Sequence, residues 1–384
     1  MRSAWLAIVL FVAGAAQGAT LLVHPGESIQ AAVDLAHPGD TVRVLAGTYH
    51  EPGRPCPRDA SRTCAVVVST DRVRLVAADH FTNHQTVDVI LVNPGGQDDG
   101  ITLARSLSDP TPDAPLTHVV VQGFGVTNFA GAGIATYRLE RSLLKNNVIG
   151  NNAYAGILAI ESGQGTKYIR NSIQVVDLIL YPLLTPPRVG IRVEGGSGAR
   201  FDHNFVDLSY IGVFAHGVSG MRFTNLGVDG ARDGVVLLDV DNPATGNYVT
   251  RTFIVSPTSL TPVVPCSDSA DVACTLPTGV GILLLSSDRT VVFKSEVDGG
   301  FAAGILVANW CATFMPPGCA LSGPDPDGNA ITANYLPMGS TPDPSIPPAL
   351  TGFGLSWDGT GAGNCWAKNN SLSGSAPATL PVCH

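Results

Sequence analysis

Charge is what this sequence has least of. Asp, Glu, Lys and Arg make up 14 % of its 384 residues, against ~25 % in an ordinary globular chain, and lysine is especially scarce. That shortage argues against a helical bundle, whose outer faces need Glu and Lys. Past the N-terminus no apolar run reaches the ~18 residues of a membrane-spanning helix, so the chain is not expected to be membrane-embedded. The net charge is −9, and no basic stripe stands out along the sequence, which argues against a nucleic-acid partner. Methionine is also rare, four in all, so a soft-metal site has few donors. There is no Gly-x-Ser-x-Gly elbow, phosphate-cradling loop or zinc-type histidine cluster. His80 and His84 are four apart, but "DHFTNH" reads as a loop, where that spacing aligns nothing. No metal ligand set is assigned.

Other features are plentiful. The opening "MRSAWLAIVLFVAGAAQGA" gives one positive charge, an apolar core and then small residues. It reads as a secretory signal peptide over 1–18, making the mature protein secreted or periplasmic. The alternative is a retained N-terminal anchor. Cys56 and Cys64, Cys266 and Cys274, and Cys311 and Cys319 are each eight apart, while Cys365 and Cys383 bracket the C-terminal tail. A repeated spacing without C-x-x-C predicts local disulfides that staple loops in an oxidising compartment.

An internal repeat organises the rest. A glycine followed by Ile or Val recurs at Gly100, Gly133, Gly156, Gly190, Gly212, Gly234, Gly281 and Gly304, mostly at intervals of 22 or 23 residues. A second column runs in step with it: Asn147, Asn171, Asn204, Asn225 and Ser295. Asparagine suits left-handed turn positions, and stacked side-chain amides can bond from coil to coil. The period is too short for βαβ units and holds two or three strands with turns between.

These features resemble the pectin-lyase-like superfamily over nearly the whole mature length. "ESIQAAVDLAHPGDTVRVLAGTYHE" is similar to the opening segment of such proteins: an amphipathic helix through Ile29, Ala32, Val33 and Ala36, a Pro-Gly-Asp turn, a strand, then Gly-Thr-Tyr-x-Glu. "WDGTGAGNCWAKNNSLSGSAPATLPVCH" resembles the Gly-Asn-x-Trp tail of secreted bacterial β-helix proteins. The resemblance implies an all-β fold, a single-stranded right-handed parallel β-helix. A helix would cap its N-terminus, and the tail at 356–384 would be pinned by Cys365–Cys383. The solenoid itself would run over 19–355 with loop insertions, as a monomer.

Side chains alternate along a strand, so the second and fourth residues after each repeat glycine face outward. In the later coils these are apolar: Val236, Leu238, Leu283, Leu285, Leu306 and Ala308. Water would not tolerate that face. The Pro-rich stretch 312–350 and the Cys266–Cys274 loop are expected to cover it. In the middle coils the same positions hold Arg192, Glu194, Phe214 and His216, with Tyr137 further down. The insertion at 178–188 enters just before this window and could wall a groove.

The resemblance implies action on an extended acidic polysaccharide or a cell-surface glycan along this face. Elimination from a uronic-acid polymer needs a cation, a base and an acid. The expected catalytic residues are Arg192 as cation and His216 as base tuned by Glu194, with Tyr137 as a distant acid and Phe214 stacking on a sugar. Tyr137 and Phe214 would thus be the substrate-binding pair. Calcium is left open as a cofactor, because some family members use it. Against catalysis, the motifs of galacturonan hydrolases, pectin methylesterases and pectate lyases are mostly absent. Asp98-Asp99 reads as a turn, and "RFDHN" at 200–204 matches only half of a lyase stretch. The alternative is a non-catalytic secreted rod, in which Glu194 and His216 are a cross-strand polar pair worth ~0.2–1 kcal/mol. The polar cluster Asp202, His203, Asn204, Asp207 and His216 divides by the repeat into a turn and the following strand, and only His216 joins the window.

Overall fold

The computed structural model describes residues 18–78, 87–174, 188–239, 245–255, 271–314, 324–337 and 342–384. The signal-peptide reading, His80 and His84, almost all of the 178–188 insertion, Cys266 and Cys319 lie outside them. The chain is a right-handed parallel β-helix. Among the described residues, three sheets of twelve, eleven and twelve strands run the length of the molecule, a typical coil contributing one strand to each. A representative coil places Val120–Gln122 in the first sheet, Phe124–Thr127 in the second and Ala132–Tyr137 in the third. The inward column is mostly apolar and stacks like on like, as where the Tyr168 and Phe201 rings lie 4.4 Å apart and nearly parallel; the Tyr168 hydroxyl is met inside the coil by Thr136 and Ser162.

The repeat glycines open the third-sheet strands. A Cβ placed on Gly212 would stand 2.6 Å from the carbonyl oxygen of Gly234 on the next coil, and Gly190 bears the same relation to Gly212 at 2.7 Å. Successive coils approach too closely there for any side chain.

The asparagine column caps the turn between the first and second sheets. Asn147 donates to Asn171 at 2.9 Å, and Asn171 to Asn204 at 3.0 Å, all three buried. Asn225 is not a rung. It occupies the left-handed position one residue earlier, with φ of 52°, as do Asn146, Arg170 and His203. The buried residue in register with Asn204 is Leu226, so the amide ladder breaks at that coil. It resumes where Ser295 accepts from Thr252 and itself donates its amide to Asn334.

Both ends are closed. The helix Ile29–Leu35 starts at Ser28, whose hydroxyl accepts from Ala31. The Glu51 carboxylate accepts from the Ser28 hydroxyl and the Ile29 amide at 2.7 and 2.6 Å, so the last residue of Gly-Thr-Tyr-x-Glu holds the helix N-terminus. Gln30 then uses its side-chain amide as a further strand, donating to the Val67 carbonyl and accepting its N–H. An edge that would otherwise invite pairing is thereby satisfied. At the other end Cys365 is bonded to Cys383, and Trp366 packs beneath the returning tail with its ring 5.4 Å from Trp357. Cys56 is bonded to Cys64. Cys274 and Cys311 are each disulfide-bonded, and the partners expected for them lie outside the described residues.

The outward apolar face of the third sheet is covered. Phe214, Val236, Leu238, Leu283, Leu285 and Leu306 form a second core, separate from the one inside the coils. Its other half comes from Ala273 and Leu276 of the loop after Asp271, from Trp310 and Cys311, and from Ile346 and Leu350 of the Pro-rich stretch. No helix among the described residues is long and apolar enough to cross a membrane.

Candidate functional site

The window lies where the cover stops. Strands Val189–Gly196 and Ile211–His216 pair in parallel, with Arg192 beside Phe214 and Glu194 beside His216. His216 Nδ1 stands 3.0 Å from a Glu194 carboxylate oxygen, and the two side chains are 27 % and 23 % exposed. The other Glu194 oxygen accepts from Arg192 Nε at 2.7 Å. Arg192 is itself buried, and its Nη1 meets both oxygens of Asp271 at 2.8 Å. Its guanidinium lies 5.0 Å from the centre of the Tyr154 ring and 5.1 Å from that of Phe214.

Two of the expected roles change. Phe214 points out of the coil, but it is fully buried under the cover and faces Arg192. It is therefore a wall of the arginine's slot, not a platform for sugar. Arg192 is not an uncommitted cation, because Asp271 and Glu194 already balance its charge. Tyr137 is two strand spacings from Glu194, through Ile160, or about 10 Å. Burial pushes its hydroxyl up to about 12, with Asp99 adding to the effect, and His216 lies one strand further away again. Asp202 and His203 belong to the turn: Asp202 accepts from Thr224, Asn225 and Arg200. Asp207 faces outward from the second sheet beside Asp229.

Three neighbours of the window were not legible in the repeat. Asp271 is 79 residues from Arg192 and comes from a loop without periodicity. Tyr154 stands two residues before its repeat glycine, as does Tyr210, and that shared offset was the one available signal. Asp239 follows the third-sheet strand of the next coil. Burial pushes its carboxyl up to about 8, against the opposing pull of Ser287, His216 and the Gly217 amide.

The remaining carboxylates in question are structural. Asp98 accepts the Thr63 amide at 2.7 Å. Asp99 is buried, accepting from Ala132 N and from Arg62 at 2.8 Å each. Asp99 also lies beside Cys56 and Cys64, and these three are the one grouping of metal-type side chains among the described residues. Its sulfurs are joined as a disulfide, so it offers one carboxylate as it stands and two thiolates only if reduced. Calcium takes six to eight oxygen ligands, and this group does not fit it.

Chemically, a carboxylate on Nδ1–H fixes the imidazole tautomer and makes Nε2 the basic nitrogen. The pair is mounted on two adjacent strands of a continuous sheet, which holds it rigidly.

The sequence matches no protein-family model and no curated protein. Solved structures do share its fold. The A-module of mannuronan C-5 epimerase AlgE6 from Azotobacter vinelandii is 15 % identical, covering 89 % of this chain and 90 % of that one at a TM-score of 0.53. The DFA-IIIase of Arthrobacter chlorophenolicus A6, in complex with DFA-III, is 13 % identical over 93 % and 92 % of the two chains, also at 0.53. Such identities establish the β-helix architecture and nothing finer.

Proposed function

We propose that this is an exported protein that holds and processes an extended acidic polysaccharide, with His216 as the proton acceptor. The observation that carries the reading is the partly exposed Glu194–His216 pair at 3.0 Å. It lies at the margin of the second core, which seals the later coils of this sheet face. Glu194 orients the ring and steadies the imidazolium formed when Nε2 takes a proton. Arg192, donating to Glu194 and anchored on Asp271, is a positioning residue. A mannuronan epimerase with the same fold supports the substrate class by analogy.

The test is an assay of the purified protein on a panel of uronic-acid polymers, with and without calcium, following the ultraviolet absorbance of unsaturated products. Turnover is expected from the parent, and His216→Ala should lower it by about 10²-fold or more. A second reading, a non-catalytic rod, is favoured by the neutralised Arg192 and the sealed Phe214. A silent panel would decide for it.

A further inference from the structure

The sequence shows no basic stripe, yet the fold assembles one. On the outer face of the first sheet, Lys167, Arg200 and Arg222 stand in register on consecutive coils, followed by Tyr248. All four are exposed. Three residues further along each coil, the left-handed turn positions hold Arg170, His203, Asn225 and Arg251, and Lys294 one coil on. Two basic columns, interrupted by Tyr248 in the first and by His203 and Asn225 in the second, thus run side by side along the solenoid axis, with rungs about 4.8 Å apart. Six of the chain's 22 Lys and Arg residues lie on this strip of a protein whose net charge is −9.

The strip holds little to neutralise it. Asp202 pairs with Arg200 and His203. Among the described residues, no ion pair engages Lys167, Arg170, Arg222, Arg251 or Lys294. Aromatic faces flank it: Phe205 is 39 % exposed, Phe253 47 % and Tyr248 39 %. A Cβ on Gly227 would meet the Phe205 ring, so the missing side chain lets that ring lie over the neighbouring coil. Arg170, His203, Phe205 and Gly227 line an open recess of about 550 Å³ at the centre of the strip. Asp207 and Asp229 stand at the far ends of the second-sheet strands, which directs an anionic ligand toward the turn and the first sheet.

We infer that this strip is a docking track for a linear polyanionic polysaccharide, its acidic groups meeting the two basic columns and its sugar faces meeting Phe205 and Tyr248. The strip belongs to the first sheet and its turn, whereas the window belongs to the third. The choice of a polysaccharide, among polyanions, rests on the proposed function.

The full chain should bind polygalacturonate in affinity electrophoresis and titration calorimetry, more weakly as salt rises, and should not bind a neutral β-glucan. Arg170→Glu/Arg222→Glu should weaken binding at least tenfold, and Phe205→Ala by a smaller factor. Arg43→Glu/Arg72→Glu, the same charge change on the N-terminal coils, should leave it within twofold. Should charge reversal lower the melting temperature, Arg170→Gln/Arg222→Gln should give the same loss. Equal affinity of the track variants and the control would overturn the inference, as would tighter binding of oligothymidylate than of polygalacturonate. An inactive protein that still binds through these residues would sink the reading of the window and leave the track. Turnover with affinity indifferent to Arg170 and Arg222 would do the reverse.

Discussion

At the scale of single residues, the coil does to carboxyl groups what water prevents. Asp239 has an ordinary value of 3.8, and burial pushes it up to about 8 in the folded chain. Asp233, wholly buried before its repeat glycine, is pushed up to about 7 for the same reason. Between the unfolded and folded values the native state keeps a proton that the unfolded state has lost. Stability from these groups is therefore complete below about pH 4 and declines as pH rises toward 8. Asn at position 239 cannot ionise. The melting temperature of Asp239→Asn should fall less between about pH 5 and pH 8 than that of the parent, and parallel curves would refute the assignment. Strand alternation in the sequence sets Glu194 beside His216 and Arg192 beside Phe214, because register follows from the glycine period. It could not find Asp271, since a partner 79 residues away on an aperiodic loop leaves no mark in the repeat.

At the scale of the element, glycine and asparagine were legible for different reasons and to different depths. The glycine column is enforced by backbone approach, so it runs from Gly100 to Gly354 and gives way to Ala65 only on the N-terminal coil. Gly212→Ala would drive a methyl group against the Gly234 carbonyl and the Val228 side chain. Overpacking of this kind costs about 1–3 kcal/mol, and the urea midpoint should drop accordingly. An unchanged midpoint would mean that the coils can separate there at no cost. The asparagine column is a preference, not a steric requirement. A buried turn accepts Leu226, Thr252 or Ser295 when a neighbouring amide can be satisfied otherwise, and Asn225 then sits one residue off the rung while looking correct by count. The basic columns are hidden in the linear sequence for a related reason. Their members are spread from Lys167 to Lys294, and only stacking brings them together.

At the scale of the whole molecule, a solenoid buries its core coil against coil, so its exposed liabilities are its two ends and any apolar outer face. The ends are met by the Ser28–Glu51 helix cap with Gln30 on the Val67 edge, and by Trp366 under the Cys365–Cys383 tail. The outer face of the third sheet is met by Trp310, Ile346 and Leu350, on segments with no periodicity of their own. The need for a cover could be read from Leu283, Leu285 and Leu306, but not its packing, because a strap is fitted to the surface it closes. Ile346 is 2 % exposed and makes no contribution to the coil interior. Ile346→Asp should therefore loosen the strap while leaving the sheets paired. The far-ultraviolet dichroism should stay that of the parent, while the variant binds a hydrophobic dye and self-associates in light scattering, as a bared apolar patch does. A variant that stays monomeric and dye-free would show that the second core holds without this anchor. Loss of the β signal along with it would show that strap and solenoid fold as one unit.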